Sequence, residues 1–431
     1  MPLPSTASIL SSVLNRYRHA PEPFWAMASQ VLTSAANFLT SMILIRSIGL
    51  IEFGRFSICF LLIMMTRKFL IFVVLTPMSS IMPSIANERL PDYRFFLYLL
   101  ATAFALVSSL VLIGPVHLWG LLLNAPWLPS LALSLFAANS LANLTDFSRR
   151  LLLDCRQPIS SFAIDALRFT LQLALMIAFA VLARDQLSAD LALWFMAAGS
   201  LAGLVLSVLL THRLRPNFRL VGEFWSRHHH YTGWNSVSTI LETIQSTAPL
   251  LIASAVLGEA TTGTLRAIQQ FANLLNLPFN ALLQVLPSMA SRRYATRGLG
   301  AMNALLTKVT LVSSAGIVAL SLAILLASDF VLRQALKLET GDAIPIFIAY
   351  MVLNVCMLIR LPTIITCSVL SVPRAQAAAS VIGAILATAG TYLLLFPLGP
   401  IAAPVVNAVS LLVTTLLTWH NMRPRLHQVR A

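Results

Sequence analysis

Charge is scarce in this sequence. Only 10% of its 431 residues are Asp, Glu, Lys or Arg, whereas 58% are apolar. A soluble globular domain carries about 25% charged residues. Apolar runs recur along the whole length, and many exceed the roughly 18–20 residues that cross a bilayer. The composition therefore excludes a large soluble domain and predicts an integral membrane protein.

The motifs of metal sites and enzymes are missing too. The histidine cluster "RHHH" (227–230) cannot present three adjacent imidazoles on one helix face, so it is interpreted as a solvated basic loop. No GxSxG, P-loop, HExxH or exposed carboxylate pair occurs. We therefore expect no metal, no organic cofactor and no enzyme. The cysteines lie scattered in apolar runs, without CxxC or Cys/His spacing: Cys59, Cys155, Cys356 and Cys367.

Twelve hydrophobic segments predict twelve transmembrane helices. The first follows Arg16 and Arg18, is too long for the h-region of a cleaved signal, and precedes no cleavage site, so we expect it to remain. The second is long and contains Pro77, which predicts a tilt or a kink. The predicted spans are 24–48, 54–86, 95–117, 127–149, 158–183, 189–211, 234–257, 261–290, 301–328, 343–371, 375–396 and 399–419.

The distribution of basic residues predicts the orientation. With both termini in the cytoplasm, the inner segments hold 18 of the 29 lysines and arginines, and the outer loops hold only Arg184, Arg333 and Lys337. This excess is the positive-inside signal. The net charge of +14 is then explained by topology and by contact with anionic lipid, so we expect no nucleic-acid partner.

Two pairs of short matching segments indicate an internal duplication. "IGLIEFGRF" (48–56) follows the first span and "LGEATTGTL" (257–265) follows the seventh, which pairs Gly49 with Gly258 and Gly54 with Gly263. The spans that come next end in "MPSIA" and "LPSMA". The matches are short, but they occupy equivalent ends of equivalent helices.

The duplication predicts the architecture. Six spans per half is an even number, so both halves start on the same side and must be parallel repeats. We therefore predict an all-α polytopic membrane protein with about twelve transmembrane helices. Its two six-helix bundles, 1–215 and 216–431, enclose a central cavity and can rock to alternate access.

The start of the first half resembles Wzx-type polysaccharide flippases. In "FWAMASQVLTSAANFLTSMILIRSIGLIEFGRFSICF" (24–60), a helix with Gln and Asn leads into Arg-x-x-Gly, an acidic-aromatic-Gly turn and a second helix. The "PSIA" and "PSMA" helix ends are similar to that family as well. Beyond the first two helices the resemblance consists of length, span count and halves. The matching residues are Arg46, Gly49, Glu52, Phe53 and Gly54.

The resemblance implies the multidrug/oligosaccharidyl-lipid/polysaccharide exporter superfamily. It implies a V-shaped pair of bundles in a bacterial inner membrane, without ATP hydrolysis. The implied cargo is a polyprenyl-diphosphate-linked oligosaccharide of lipopolysaccharide or exopolysaccharide synthesis. A polysaccharide polymerase and chain-length machinery are the implied partners, beside the lipid bilayer.

Basic residues inside the spans are the candidate substrate site. A charge at the bilayer centre costs on the order of 2.5–3.5 kcal/mol, yet Arg67, Lys68, Arg168 and Arg360 all lie within spans. We infer a water-filled cavity with a cationic lining. Such a cavity suits pyrophosphate, because Arg binds phosphate bidentately and Lys acts as a point charge.

Each basic residue also has a simpler explanation. Arg168 follows Asp165 by three residues and can merely close a local ion pair. Lys308 can snorkel to the inner surface, and Arg266 can sit at the outer headgroups. Arg67 and Lys68 differ by about 100° around a helix, so one can face the cavity while the other pairs or snorkels.

Acidic residues in the spans are fewer. Asp146 precedes Arg149 and Arg150 by three and four residues, so local pairing is expected. Glu242 has no basic residue nearby in sequence, and burial should favour its protonated form. Glu242 and, second to it, Asp165 are therefore the candidates for coupling to H⁺ or Na⁺; a hydrogen-bonded core residue is the other interpretation of Glu242.

Three rival functions remain open. An organic-cation exporter of the same superfamily should have a cavity dominated by carboxylates, whereas basic residues outnumber unpaired acids in these spans. A lipid II flippase should have fourteen spans. A membrane glycan polymerase or ligase should have a large outer loop, whereas the longest one predicted here, 329–342, has about 14 residues.

Overall fold

The structure is a computed structural model that describes residues 22–114, 116–122, 125–211, 214–229, 233–274, 277–326, 340–370 and 372–430. The described residues form helices and no strand, which confirms the all-α class. The α-helices are α1 (Glu22–Leu70), α2 (Thr76–Ile81), α3 (Leu90–Ile113), α4 (Val116–Leu122), α5 (Ala132–Asp154), α6 (Pro158–Leu182), α7 (Ala189–Leu210), α8 (Val221–His229), α9 (Gly233–Leu257), α10 (Glu259–Leu274), α11 (Leu277–Leu326), α12 (Thr340–Val369), α13 (Pro373–Leu398) and α14 (Ala402–Arg430).

The helices account for the twelve predicted spans. Eight stretches of the described residues are helical, long and apolar enough to cross a membrane. Two of them, Met27–Ser84 and Arg374–Met422, each contain two predicted spans. The predicted fourth span is α5, which is less apolar because a row of polar residues follows one of its faces. The predicted eighth span, 261–290, corresponds to α10 and the first part of α11. The predicted outer loop 329–342 lies mostly outside the described residues.

The duplicated glycines both have a positive φ angle. Gly49, inside α1, has φ 77°, and Gly258, between α9 and α10, has φ 85°. Side chains other than glycine rarely adopt this left-handed region, because Cβ clashes with the backbone there. Both glycines therefore form a sharp turn between two helical segments, at the positions that the repeat paired.

The second span is interrupted where the sequence predicts a kink. After α1, residues Ile71–Leu75 form a π-helix, and α2 follows with Pro77 in its first turn. The Val73 carbonyl in this segment accepts a hydrogen bond from His228 Nε2 at 2.9 Å. His228 belongs to the short helix α8 and is only 1% exposed, so the interpretation of this histidine cluster as a solvated loop is wrong for His228. That helix is also fixed to the start of α3 by an Arg89–Glu223 salt bridge of 2.7 Å.

The apolar core is continuous at one end of the molecule and divided at the other. One cluster joins both halves near the Gly49 and Gly258 turns and includes Phe53, Leu128, Leu265 and Phe347. At the opposite, arginine-rich end, where Arg149 and Arg150 lie, each half has a separate core: one around Tyr93 and Phe147, the other around Leu286, Met302 and Met422. The halves are thus joined at the end of the glycine turns and have separate cores at the arginine-rich end. The predicted division at 215/216 falls in the non-helical segment 214–217 and stays a prediction.

Candidate functional site: an arginine-lined cavity

A polar cavity of about 520 Å³ lies in the first half at the arginine-rich end. Its walls come from the start of α1, the end of α5 and the start of α6, which meet there because successive helices run in opposite directions. The α1 residues contribute hydroxyl and amide groups to the cavity wall, and three arginines complete the wall. The lining includes Ser29, Gln30, Thr33, Asn37, Arg67, Arg149 and Arg150, with Trp25 at the rim.

Asp146 is the centre of a buried charge cluster beside this cavity. Its two carboxylate oxygens accept from different arginines: Arg67 Nε at 2.8 Å and Arg168 Nη1 at 3.0 Å. Arg149 Nη1 lies 3.5 Å from the Asp165 carboxylate. Only 5% of the Asp146 side chain is exposed, compared with 28% of Arg67. Asp146 therefore holds Arg67 in place while part of the Arg67 side chain stays open to the cavity.

The polar face of α5 positions Asp146. Asn139, Asn143 and Asp146 recur at i, i+4 and i+7 and so share one helix face. The Asn139 carbonyl accepts from the Thr66 hydroxyl at 2.5 Å and from the Asn143 amide at 3.2 Å. Both asparagines are at most 1% exposed, so they fix α1 against α5 and do not face the cavity.

A small space of about 20 Å³ continues from the cavity towards the end of the glycine turns. Arg67 lines both spaces, and Arg168 and Arg266 line the smaller one. Arg266 is only 9% exposed. Its guanidinium lies over the Phe60 ring at 5.6 Å and donates to Gln269 at 2.6 Å. Arg266 therefore points inward, and the interpretation that it sits at the outer headgroups is wrong.

The ion pairs predicted from sequence neighbours do not form. Arg168 pairs with Asp146 on α5, not with Asp165 three residues before it. Asp146 in turn pairs with Arg67 and Arg168, whereas Arg149 pairs with Asp165. The reason is packing: α1, α5 and α6 bring these side chains together from three helices, and a contact between helices replaces the local one.

A second polar site lies in the other half. Glu242 on α9 accepts from Arg360 Nη2 at 2.5 Å and from Gln376 Nε2 at 2.6 Å. The sequence showed no basic neighbour for Glu242, yet Arg360, 118 residues later, is its partner. The expectation of an unpaired, protonated carboxyl is thus corrected to a salt-bridged carboxylate. Lys68 reaches this site from the first half and donates to Ser246 Oγ at 2.9 Å.

Comparisons with known proteins give structural matches only. Neither protein-family models nor curated proteins match the sequence. An inward-facing MATE multidrug transporter of the MOP superfamily matches with TM-score 0.72 and 11% identity over 95% of this chain and 96% of that one. A MOP transporter from Pyrococcus furiosus, described as having a binding pocket of reversed polarity that suggests a different function, matches with TM-score 0.68 and 12% identity over 95% of both chains. The lipid II flippase MurJ, inward closed, matches with TM-score 0.66 and 10% identity over 93% of this chain and 87% of that one.

This chain has the MOP transporter fold. The matches cover nearly the whole length, so the fold includes both halves. Because the sequence identities are only 10–12%, these matches show the fold and do not show what the chain carries. What a MOP-fold chain carries depends on the side chains in its cavity.

The predicted site residues divide between two places in this MOP fold. Arg67 and Arg168 lie together at the cavity of the first half, with Asp165 behind them. Lys68 and Arg360 line neither of the two spaces and instead meet the Glu242 region. Lys308 is exposed on α11, which fits snorkelling. Among the described residues, no three His, Cys, Asp or Glu side chains are grouped as metal ligands would be.

Proposed function

We propose that this chain translocates a polyprenyl-diphosphate-linked oligosaccharide from the inner to the outer leaflet by alternating access. The observation that carries the proposal is the charge along the path. Five arginines line the two spaces, and they outnumber the three aspartates that pair with them: Arg67, Arg149, Arg150, Arg168 and Arg266 against Asp146, Asp154 and Asp165. The path therefore has a net positive charge of about +2 where a diphosphate would bind.

The geometry of Arg67 suits a diphosphate. Its Nε is engaged by Asp146, which leaves the terminal nitrogens of the guanidinium for phosphate oxygens. Arginine donates to phosphate in a fixed fork and is less hydrated than an ammonium, so it binds anions well at partly buried positions. The hydroxyl and amide groups of α1, among them Gln30 and Asn37, can then hydrogen-bond the sugar.

The alternating-access part of the proposal rests on how the halves meet. They share one core at the end of the glycine turns and have separate cores at the arginine-rich end, which supports an inward-facing arrangement when the termini lie in the cytoplasm. Moving the cargo outward requires the shared contact to open and the inner ends to close, by rocking of one bundle against the other. Gradient coupling would use H⁺ or Na⁺ at Glu242, with Asp165 as the second candidate.

The proposed setting is a bacterial inner membrane with both termini in the cytoplasm. This places the cavity on the side where lipid-linked oligosaccharides are assembled. A Wzx-type flippase in that setting hands its cargo to a polysaccharide polymerase and chain-length machinery.

An organic-cation exporter is the second candidate, favoured by the likeness to MATE transporters. Its cargo would need carboxylates exposed to the cavity. In the described residues, Asp146 and Asp165 are at most 5% exposed and face arginines, so this candidate explains the site less well.

The test uses purified protein in liposomes. Polyprenyl-diphosphate oligosaccharide is placed in one leaflet, and its appearance in the other is followed with and without a pH gradient. We expect transfer, and we expect the triple variant Arg67→Gln, Lys68→Gln, Arg360→Gln to lose it. Normal transfer by the triple variant would overturn the cationic site. Efflux of an organic cation without transfer of the diphospholipid would establish the exporter.

A further inference from the structure

An apolar groove of about 610 Å³ lies on the opposite side of α1 from the arginine-lined cavity. It is bounded by the second arm of α1, which is the part of the helix after Gly49, by Val73 of the π-helix and by α3. Leu251 of α9 closes one edge. Both halves thus contribute to it. The lining residues are Leu62, Met65, Thr66, Phe69, Val73, Leu100, Ala103, Phe104, Val107, Ser108, Val111, Leu112 and Leu251.

The groove has the dimensions and surface of a hydrocarbon site. Along α1 and the π-helix it runs from Leu62 to Val73, which is about 16 Å at 1.5 Å per residue. Val107 and Val111 on its wall are 59% and 58% exposed, so the groove is open along its length.

Its two hydroxyl-bearing residues are turned away from it. Thr66 donates to Asn139 at 2.5 Å, and Ser108 accepts from the Asn139 amide at 3.3 Å. Since Asn139 lies behind the groove on α5, the floor shows the methyl and methylene groups of these residues and offers no free hydrogen-bonding group. Such a surface favours a hydrocarbon chain over water.

Lys68 lies at the boundary between the groove and the cavity. On the helical wheel of α1, Met65 and Phe69 face the groove, Arg67 faces the cavity, and Lys68 lies between the two faces beside α9. There its ammonium bonds Ser246 across the contact between the halves. A cation at the edge of an apolar groove matches a ligand that joins an anionic head directly to a hydrocarbon chain.

We propose that this groove binds the polyprenyl chain of the transported lipid, with the diphosphate passing the contact between α1 and α9 at Lys68. The proposal rests on the proposed function and adds where the chain lies during transfer. The polyprenyl chain then stays at the protein surface in contact with Phe69, Phe104 and Val107, while the head occupies the cavity. Opening of the contact between the halves breaks the Lys68–Ser246 bond and lets the head move.

The first test fills the groove. Ala103→Trp places an indole in it, whereas Leu106→Trp changes a residue on the same helix that is 44% exposed and lies outside it. Transfer of a long-chain polyprenyl-diphosphate oligosaccharide in liposomes should fall at least about tenfold in Ala103→Trp. It should stay near wild type in Leu106→Trp. An analogue with a chain of two isoprene units, which does not need the groove, should move equally in all three proteins.

Photolabelling gives a reading that does not depend on transport. A polyprenyl diphosphate with a diazirine near the far end of its chain should label the peptides of α3 and the second arm of α1. Ala103→Trp should reduce this labelling, and an excess of phospholipid should not.

The outcomes separate the two proposals. If wild-type protein moves neither lipid, the proposed function fails. If it moves both and Ala103→Trp behaves as wild type, the groove proposal is wrong while the function stands. Equal labelling by a diazirine phospholipid would make the groove an ordinary site for bilayer lipid and would also overturn the proposal.

Discussion

Gly54 and Gly263 face each other where the two halves meet, near the Gly49 and Gly258 turns. In the proposed orientation this is the outer end. A Cβ added to Gly54 would collide with the Glu259 carbonyl and lie 3.2 Å from the Gly263 amide nitrogen. A Cβ added to Gly263 would collide with the Leu50 carbonyl and lie 3.3 Å from the Gly54 amide nitrogen. The contact is symmetric, because Leu50 and Gly54 are the repeat equivalents of Glu259 and Gly263. The duplication thus produces its own closing surface, and only glycine lets these helices approach so closely.

Gly54→Ala should therefore prevent closure of the outer end. A methyl group forced into a close backbone contact costs roughly 1–3 kcal/mol, so we expect transport to fall by about tenfold or more. Accessibility can be measured in a cysteine-free protein that carries Ser57→Cys, because Ser57 is buried and lines the small space of about 20 Å³. A membrane-impermeant thiol reagent added outside should react faster with this cysteine once Gly54→Ala is present.

Two further glycine variants serve as controls for Gly54→Ala. Gly263→Ala should behave in the same way, because the contact is symmetric. Gly300→Ala, whose Cβ would meet nothing within 4 Å, should be as active as wild type. Unchanged labelling and transport in Gly54→Ala would show that the outer contact is not a gate.

Asp146→Asn should strongly destabilise the first half. It leaves Arg67 and Arg168 without their shared carboxylate, and removing one partner of a buried ion pair costs about 3–5 kcal/mol. The midpoint of thermal unfolding in detergent, followed by circular dichroism, measures the loss. Adding Arg168→Gln should recover part of it.

The control for Asp146 is Asp154→Asn. Asp154 pairs with Arg150, whose side chain is 42% exposed, at 3.3 Å, and such pairs contribute about 0–1 kcal/mol. Equal losses in the two variants would contradict the special role of the buried cluster.

Glu242→Gln tests coupling. If Glu242 carries the coupling ion, the variant should still equilibrate the lipid but should lose stimulation by a pH or Na⁺ gradient. Arg360→Gln is the comparison, because it removes the same salt bridge and keeps the carboxylate. If Arg360→Gln loses the stimulation to the same extent, Glu242 acts only as a partner for Arg360. Normal gradient dependence in Glu242→Gln would remove it as a candidate.

His228 should make the docking of α8 dependent on pH. Burial holds the pKa of His228 below its ordinary value of 6.5, although the hydrogen bond to the Val73 carbonyl opposes the shift. The docked state thus prefers the neutral ring, whose Nδ1 is buried without a partner. The equilibrium constant for docking of α8 is unchanged above about pH 6.5, because the His228 ring is neutral in both the docked and the undocked state. Below that pH the constant falls, by up to about tenfold per pH unit.

Hydrogen exchange of the α8 amides between pH 7.5 and 5 checks this prediction once intrinsic exchange rates are subtracted. His228→Gln should abolish the extra opening at low pH. His229→Gln, an exposed neighbour on the same helix, should retain it. Extra opening that persists in His228→Gln would assign the effect to another group.

The membrane class, the twelve spans and the two halves could be predicted from sequence. Each rests on a pattern along one stretch of chain: apolar length, loop charge, or a repeated glycine spacing. Gly49 and Gly258 are an example, because two glycines that the repeat paired in sequence both have a positive φ in the structure. A helix that crosses a membrane must satisfy its backbone internally, so its existence follows from local composition.

Only the tertiary structure decided the charge partners. The sequence placed Asp146 near Arg149 and Arg150, Asp165 near Arg168, and Glu242 near no base; the fold pairs Asp146 with Arg67 and Arg168, Asp165 with Arg149, and Glu242 with Arg360. A side chain in a spanning helix has its partner chosen by the facing helix, at a distance in sequence that no local pattern encodes. The sequence by itself determined that charges lie inside the membrane, and packing between helices determined which of them are neutralised and which line the cavity.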